Sequence, residues 1–261
     1  MMMFKKNNTL ANMRELKRLA GQLPYTPVFV NVVGQHYCGF DSEDSDFELR
    51  GAHVIPLNEF CGINPNLKTV DLTRMAGGHD ILVLSQDIKT VLSKLVAGDA
   101  TSLENILSPK NVVSSHEYAT LIPLAENSIG KHFAESYVDL AQHHWKLFSS
   151  APPYRIATLL DVFRALFTGI HLMNSGKLIV DINELIEFRE LPYVNDMIRR
   201  KKTGPDAGSV RKADLPYFEE DMERFIRELA GACEESNLPE EAPNVDAIDE
   251  FLINLRLKTK K

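Results

Sequence analysis

Cysteine is scarce: three residues among 261, standing far apart at Cys38, Cys61 and Cys233. An odd count with no Cys-x-x-Cys pair excludes a disulfide framework and a zinc knuckle, and reduced thiols are the expectation. Long hydrophobic runs are also missing. Stretches such as 81–84 and 156–160 fall far short of the ~20 apolar residues that span a bilayer. Residues 1–8 are polar and basic with no apolar segment behind them, so no signal peptide is read there. The expectation is a cytoplasmic protein with no membrane partner. An excess of positive charge is lacking too, since 29 Lys and Arg against 36 Asp and Glu leave a net charge of -7. That excludes coating nucleic acid by bulk attraction, but not a local basic patch. A phosphate-binding Gly-Lys-Ser loop is absent as well: residues 203–209 hold two glycines with neither a strand before them nor that dipeptide after.

What remains is ordinary globular composition, 44% apolar and 25% charged, at a length that suits one large domain or two modest ones. Leu10, Met13, Leu16, Leu19 and Leu23 recur at helical spacing, and Pro24 ends that pattern. The β-branched run 27–33 reads as a buried strand that stops at Gly34. An acidic, serine-rich turn over 41–46 leads to a second strand, 47–55. Strands follow at 70–75 and 80–84, separated by Gly77-Gly78. Helical periodicity then takes over at 86–96, 103–107, 124–148, 154–174, 182–201, 216–235 and 245–257, with a short extended piece at 178–181. Residues 202–216, rich in Gly, Lys, Asp and Pro, read as a loop. A small mixed sheet followed by helices predicts an α+β chain, divided into residues 1–115 and 116–261.

The chemistry concentrates after Gly34. Asp46 and Glu48 stand two apart on a predicted strand, so both carboxylates share a face. Two close carboxylates repel unless a cation lies between them, and this spacing suits Mg²⁺. Asp80 opens a later strand and joins them if the two strands pair. Three carboxylates from neighbouring strands are what two-metal phosphoryl transfer requires. The plain alternative is a solvated acidic hairpin, which fits Asp41, Glu43 and Asp44.

The stretch 34–51, Gly-Gln-His-Tyr-Cys-Gly-Phe-Asp-Ser-Glu-Asp-Ser-Asp-Phe-Glu-Leu-Arg-Gly, resembles the signature of predicted nucleotidyltransferases of the polymerase-β superfamily, in the group related to RNA-repair-associated and YcgL-type proteins. Tyr37, Gly39, Ser45, Asp46, Leu49, Arg50, Gly51 and Pro56 fall in register with that signature. His79–Leu84 resembles its third-carboxylate strand, and 98–107 its Gly-Asn-Pro-x-x-Leu-Glu-x-Leu block. The resemblance implies an N-terminal polymerase-β-like nucleotidyltransferase domain with a small mixed sheet, followed by a helical C-terminal domain. It implies transfer of a nucleoside monophosphate from an NTP, ATP first among them, to a hydroxyl on an RNA end, a protein or a small molecule. Asp46, Glu48 and Asp80 would be the catalytic and metal-binding set. Asp80 would also help to deprotonate the acceptor. Gly34, Gln35, Tyr37, Ser45, Lys131 and Lys146 would bind nucleotide. Two residues depart from the pattern. Gln35 replaces the usual serine, and Glu48 replaces an aspartate. The longer Glu48 moves its oxygens by about one bond length in a site that tolerates ~0.5 Å, which points to Mn²⁺ as an alternative to Mg²⁺. The rival expectation is a degenerate member that binds nucleotide or a protein partner without turnover.

Other features carry plainer readings. Arg164 and His171 lie seven apart on one helical face, a spacing found in some ribonuclease helices, yet a capping or buried, satisfied histidine is the better expectation. Adjacent His143 and His144 point apart on a helix, and His36 sits within the presumed phosphate turn. The basic run 199–202, with Arg211 and Lys212 beyond it, reads first as a solvated loop and second as a grip on RNA or triphosphate.

Overall fold

A computed structural model describes residues 13–43, 45–61, 63, 69–76, 79–187, 189, 191–203 and 208–259. Asp44, Gly77, Gly78, the first residues of the N-terminal helical pattern and 204–207 lie outside that set. A five-stranded mixed sheet forms the frame, in the order β3-β4-β2-β1-β5. Its strands are β1 (Thr26–Val33), β2 (Phe47–Val54), β3 (Val70–Ala76), β4 (His79–Asp87) and β5 (Asn111–Ser114). β2 and β4 run parallel, and the other neighbours are antiparallel.

Both faces of β1 are apolar because both are covered. Val30 and Val32 meet Leu16, Leu19 and Ala20 of helix α1 (residues 13–20) on one side. Val28 and Phe29 enter the larger core on the other. That core continues from β1 and β2 into the helices without a break at position 115, the boundary drawn from the sequence. α2 (Gln35–Cys38) and α3 (Leu57–Phe60) are single turns beside the sheet, while α4 (Ile88–Val96), α5 (Ala100–Leu107) and α6 (His116–Glu126) pack onto it. α7 (Phe133–Ser149) and α8 (Ile156–Ser175) follow, the second entered through the two-residue strand β6 (Tyr154–Arg155). α9 (Ile182–Glu187), α10 (Pro192–Lys202), the strand β7 (Ser209–Val210), α11 (Leu215–Glu235) and α12 (Val245–Lys258) complete the chain. The α+β arrangement expected from the element order is the one observed.

Several boundaries differ from the periodicity. β4 runs to Asp87, whose side chain accepts the Lys89 N–H at 2.9 Å and so caps α4, two residues later than expected. The single helix predicted over 124–148 is two, α6 and α7. Between them Lys131 N–H donates to Pro239 O at 2.8 Å, and a Cβ on Gly130 would come within 2.7 Å of that same oxygen. No strand forms at 178–181, whereas β5 was not foreseen. Pro192 starts α10 rather than interrupting a longer helix. α8 is long and apolar enough to cross a membrane by length and composition, but 78% of its most apolar window is buried in this protein, as in a core helix.

One ionic contact fastens the C-terminal helix to the sheet. Arg256 of α12 donates to the fully buried Asp87 carboxylate and, at 2.7 Å, to Ile55 O. Removing the cation strands a buried charge. Arg256→Ala is therefore expected to cost about 3–5 kcal/mol and to lower the melting temperature by on the order of 10 °C. A thermal melt within a degree or two of the native protein contradicts this.

Candidate active site

The site begins with strand register. β1 and β2 pair so that Val33 stands opposite Glu48 and Asn31 opposite Arg50. Directly after Val33 the chain turns at Gly34 with φ 63°, a conformation that costs glycine nothing and strains other residues. A Cβ at this position would lie 2.9 Å from Glu48 Oε1. The glycine backbone and the carboxylate thus occupy adjoining space, and a side chain here would push the carboxylate aside. At the far end of α2, Gly39 (φ 82°) rests on Asp181 and Asn183, whose amide donates to Gly39 O at 2.7 Å. The helical half of the chain therefore braces the turn.

The loop back to β2 is held by polar contacts. His36 stacks on Phe47 with ring centroids 4.2 Å apart. Its Nδ1 lies 3.4 Å from Asp41 and holds that carboxyl below its ordinary range. The buried Ser45 hydroxyl donates to Gln35 Oε1 at 2.8 Å and accepts the Ser42 N–H at 2.9 Å. Two lysines reach the same turn from elsewhere: Lys201 of α10 donates to the Ser42 and Ser45 hydroxyls, and Lys110 to His36 O. Half of the basic run read as a solvated loop fits that description, since Arg199 is exposed beside Asp196, but Lys201 points into the turn.

Of the three acidic residues, two are neighbours across the sheet, in contact through the backbone of one. The parallel pairing of Phe47 with Ile81 sets Asp80 beside Asp46, and the Asp80 N–H donates to Asp46 Oδ1 at 2.9 Å. Glu48 faces Gly34 and lies 3.4 Å from Arg50 Nη2. Among the described residues, no three of His, Cys, Asp and Glu gather closely enough to hold one ion. The donors nevertheless suit a hard divalent cation: Glu48 of β2, set against a glycine turn, and Asp46 just before that strand. Asp46 and Glu48 are the residues that would hold it.

A cavity of about 460 Å³ opens between the sheet and the helices, a size typical of small-ligand sites. Gly34, Gln35, Tyr37, Glu48 and Arg50 line one side, Ser102 and Asn105 of α5 a second, and His144 and Asp161 of α7 and α8 a third. Asp46, Ser45 and Asp80 lie outside its lining. Lys131 and Lys146 are not part of it either. Lys131 pairs with Glu240 at 2.9 Å in a separate open groove with Cys233, and Lys146 is exposed on α7. Arg164, buried against Glu104, also lines the cavity together with that partner. His171 does not share the cavity, so the Arg164–His171 pair forms no joint site. Burial pushes the Tyr37 hydroxyl up and drives His144 down to about 4, so that imidazole is neutral at pH 7. Burial also lifts the Asp161 carboxyl to about 7, with Arg164 opposing the rise and Glu48 and Glu104 adding to it. Reasoning from sequence passed over Asp161, the pairing of Arg164 with Glu104, and Lys110, and named Lys201 only as one of the basic run. The available signal for Asp161 was a lone acid inside the apolar run 159–163.

A glycine turn leading into Asp-x-Glu on a mixed sheet, roofed by helices, defines the chain as a polymerase-β-type, nucleotidyltransferase-like protein. It belongs to the RNA repair pathway DNA polymerase beta family (RlaP), whose family model matches residues 10–254. It is 28% identical over 163 residues to the uncharacterized protein MJ0002 of Methanocaldococcus jannaschii, a match spanning 58% of this chain and 62% of that protein. It is also similar to the crystal structure of a nucleotidyltransferase-like protein from Exiguobacterium sibiricum, with a TM-score of 0.32 and 9% identity over 94% of this chain and 79% of the other.

The raised Asp161 gives a pH signature. An unfolded aspartate titrates near ~4, so between that value and about 7 the folded protein holds the extra proton. Stability falls as pH rises through this window, and the loss is complete above it. Asp161→Asn removes that loss. Its gain in melting temperature over the native protein is expected to be smallest at pH 4 and largest at pH 8, and a gain independent of pH contradicts the assignment.

Proposed function

We propose that the protein is a metal-dependent nucleotidyltransferase that moves a nucleoside monophosphate from an NTP, such as ATP, to a hydroxyl on an RNA end, a protein or a small molecule. The observation that carries this reading is the contact of Gly34 with Glu48 at the edge of the cavity. It joins a backbone surface free of side chains, suited to close approach by phosphate, to a carboxylate suited to the cation that accompanies phosphate. Membership of the polymerase-β family supports the same class. Mg²⁺ or Mn²⁺, when bound, neutralises triphosphate charge and stabilises the leaving pyrophosphate. Asp46 and Glu48 hold that ion. The nucleoside enters the cavity, where the neutral His144 and the amide of Asn105 offer hydrogen bonds. Lys201 and Lys110, with the Ser42 and Ser45 hydroxyls between them, meet the outer phosphates. Ser45 keeps Gln35 turned aside toward its own hydroxyl, which accommodates the larger residue in place of serine.

A second reading, nucleotide or partner binding without turnover, draws on two observations. Gln35 is held through its Oε1 by the Ser45 hydroxyl, and Glu48 has Arg50 nearby as a counter-charge.

Pyrophosphate release separates the two. With each of the four NTPs and Mg²⁺ or Mn²⁺, the native protein is expected to release pyrophosphate, faster with Mn²⁺. Asp46→Ala is expected to lower the rate by about a hundredfold or more. Nucleotide binding without pyrophosphate under any of these conditions establishes the nucleotide-binding form of the second reading, and neither binding nor release leaves partner binding alone standing. Lys201→Ala is expected to raise the KM for NTP about tenfold with little change in kcat, the equivalent of one charge-assisted hydrogen bond. An unchanged KM removes Lys201 from the phosphate site.

A further inference from the structure

We propose that Asp161, a residue of the core helix α8, takes the proton from the attacking hydroxyl during transfer. This rests on the transferase reading above and assigns a residue to a step that reading leaves open.

Asp161 lines the same cavity as Gly34 and Glu48. Among the described residues its carboxyl has no hydrogen-bond or ion-pair partner, whereas the charged neighbours beneath it are committed to each other as Arg164 and Glu104. An acid left without a partner on the wall of a ligand cavity is available to a ligand's donor. Asp80, which the family resemblance makes the proton acceptor, does not line the cavity. It stands exposed at the start of β4, with its backbone N–H spent on Asp46. The position of Asp161 is also rigid. Leu160, Val162 and Phe163 on either side of it are fully buried, and α8 packs along α7 and α11.

The surroundings suit the role. The ionisable groups around Asp161 are Arg164 on its own helix, Glu104 of α5, Glu48 and Arg50 of β2, Tyr37 and Cys38 of α2, and His144 and Tyr137 of α7. Burial, opposed by Arg164 and joined by Glu48 and Glu104, brings the carboxyl to about 7, where a group that must both take and release a proton at neutral pH works best. In the step itself the acceptor O–H bond breaks and its proton passes to an Asp161 oxygen. The acceptor oxygen bonds to the α-phosphorus. The bond from that phosphorus to the bridging oxygen breaks, and pyrophosphate leaves with the electron pair.

The test uses the full chain with Mn²⁺, the NTP that the native protein turns over, and a short oligoribonucleotide with a free 3′ hydroxyl as the probe acceptor. Pyrophosphate release is followed from pH 5 to 9 in native protein, Asp161→Asn and Asp161→Ala. The expected native profile rises to a plateau with a midpoint near 7. Asp161→Asn keeps its KM for NTP within about twofold and loses about a hundredfold in kcat, and its rise near pH 7 disappears. Formate, a small carboxylate that fits the space vacated in Asp161→Ala, restores part of the rate. Independently of turnover, the infrared carbonyl band of a protonated carboxyl, absent from Asp161→Asn, titrates near pH 7 in the metal-free protein. A native kcat and pH profile in Asp161→Asn overturns the proposal, as does a loss confined to KM, a failure of formate to restore Asp161→Ala, or an Asp161 band that titrates near ~4, the ordinary aspartate value. Any of these leaves the transferase reading standing. A native protein that releases no pyrophosphate overturns both.

Discussion

The antiparallel pairing of β1 with β2, in the register that sets Val33 against Glu48, is the constraint on which the rest depends. It places the end of one strand beside the start of the other. The chain can then turn at Gly34 directly over a carboxylate, provided that residue 34 has no side chain. A slip of one residue would send Glu48 and Arg50 to the opposite face, into the apolar layer that α1 covers with Leu16 and Leu19. Burying two charges there is far more costly than the native arrangement. The hydrophobic packing on the α1 side therefore enforces the geometry on the polar side.

The helical half completes what the sheet begins. Asn183 and Asp181 brace Gly39, Lys201 reaches the serines of the turn, and Asp161 and His144 wall the cavity from α8 and α7. Arg256 holds the last helix to the sheet through Asp87, the residue that also caps α4. Sheet and helices are thus joined by one core and by discrete polar contacts, and the cavity lies where they meet. Each buried charge in this arrangement has a named partner, Arg164 with Glu104 and Arg256 with Asp87. Asp161, half-buried on the cavity wall, is a carboxyl for which the described residues supply no hydrogen bond.

How much of this was legible in the sequence follows from how local each signal is. β1 and β2 were readable because β-branched residues fill 27–33 and a proline closes 47–55. The pairing of Asp46 with Glu48 on one face follows from strand geometry alone. The split between α6 and α7 was not readable. Its cause is a contact of Lys131 with Pro239, over a hundred residues away, that leaves no trace in local periodicity. The same holds for Lys201, whose neighbours in sequence are exposed arginines and whose neighbours in space are Ser42 and Ser45. Lys131 and Lys146 show the converse. Lys131 falls in the break before α7, and although the helix of Lys146 was predicted, which of its faces meets the cavity depends on how α7 packs; both lie elsewhere. Asp161 was visible only as an acid in an apolar helix, which says that something unusual is there and not what.

The central claim is that Gly34 and Glu48 together form the place where phosphate and metal meet. Calorimetric titration of a non-hydrolysable NTP into native protein and Gly34→Ala, with and without Mg²⁺ or Mn²⁺, tests it most directly. The expected result is binding that requires the divalent ion in the native protein and is abolished in Gly34→Ala while the fold persists. Equal binding by both proteins, or binding indifferent to the ion, contradicts it.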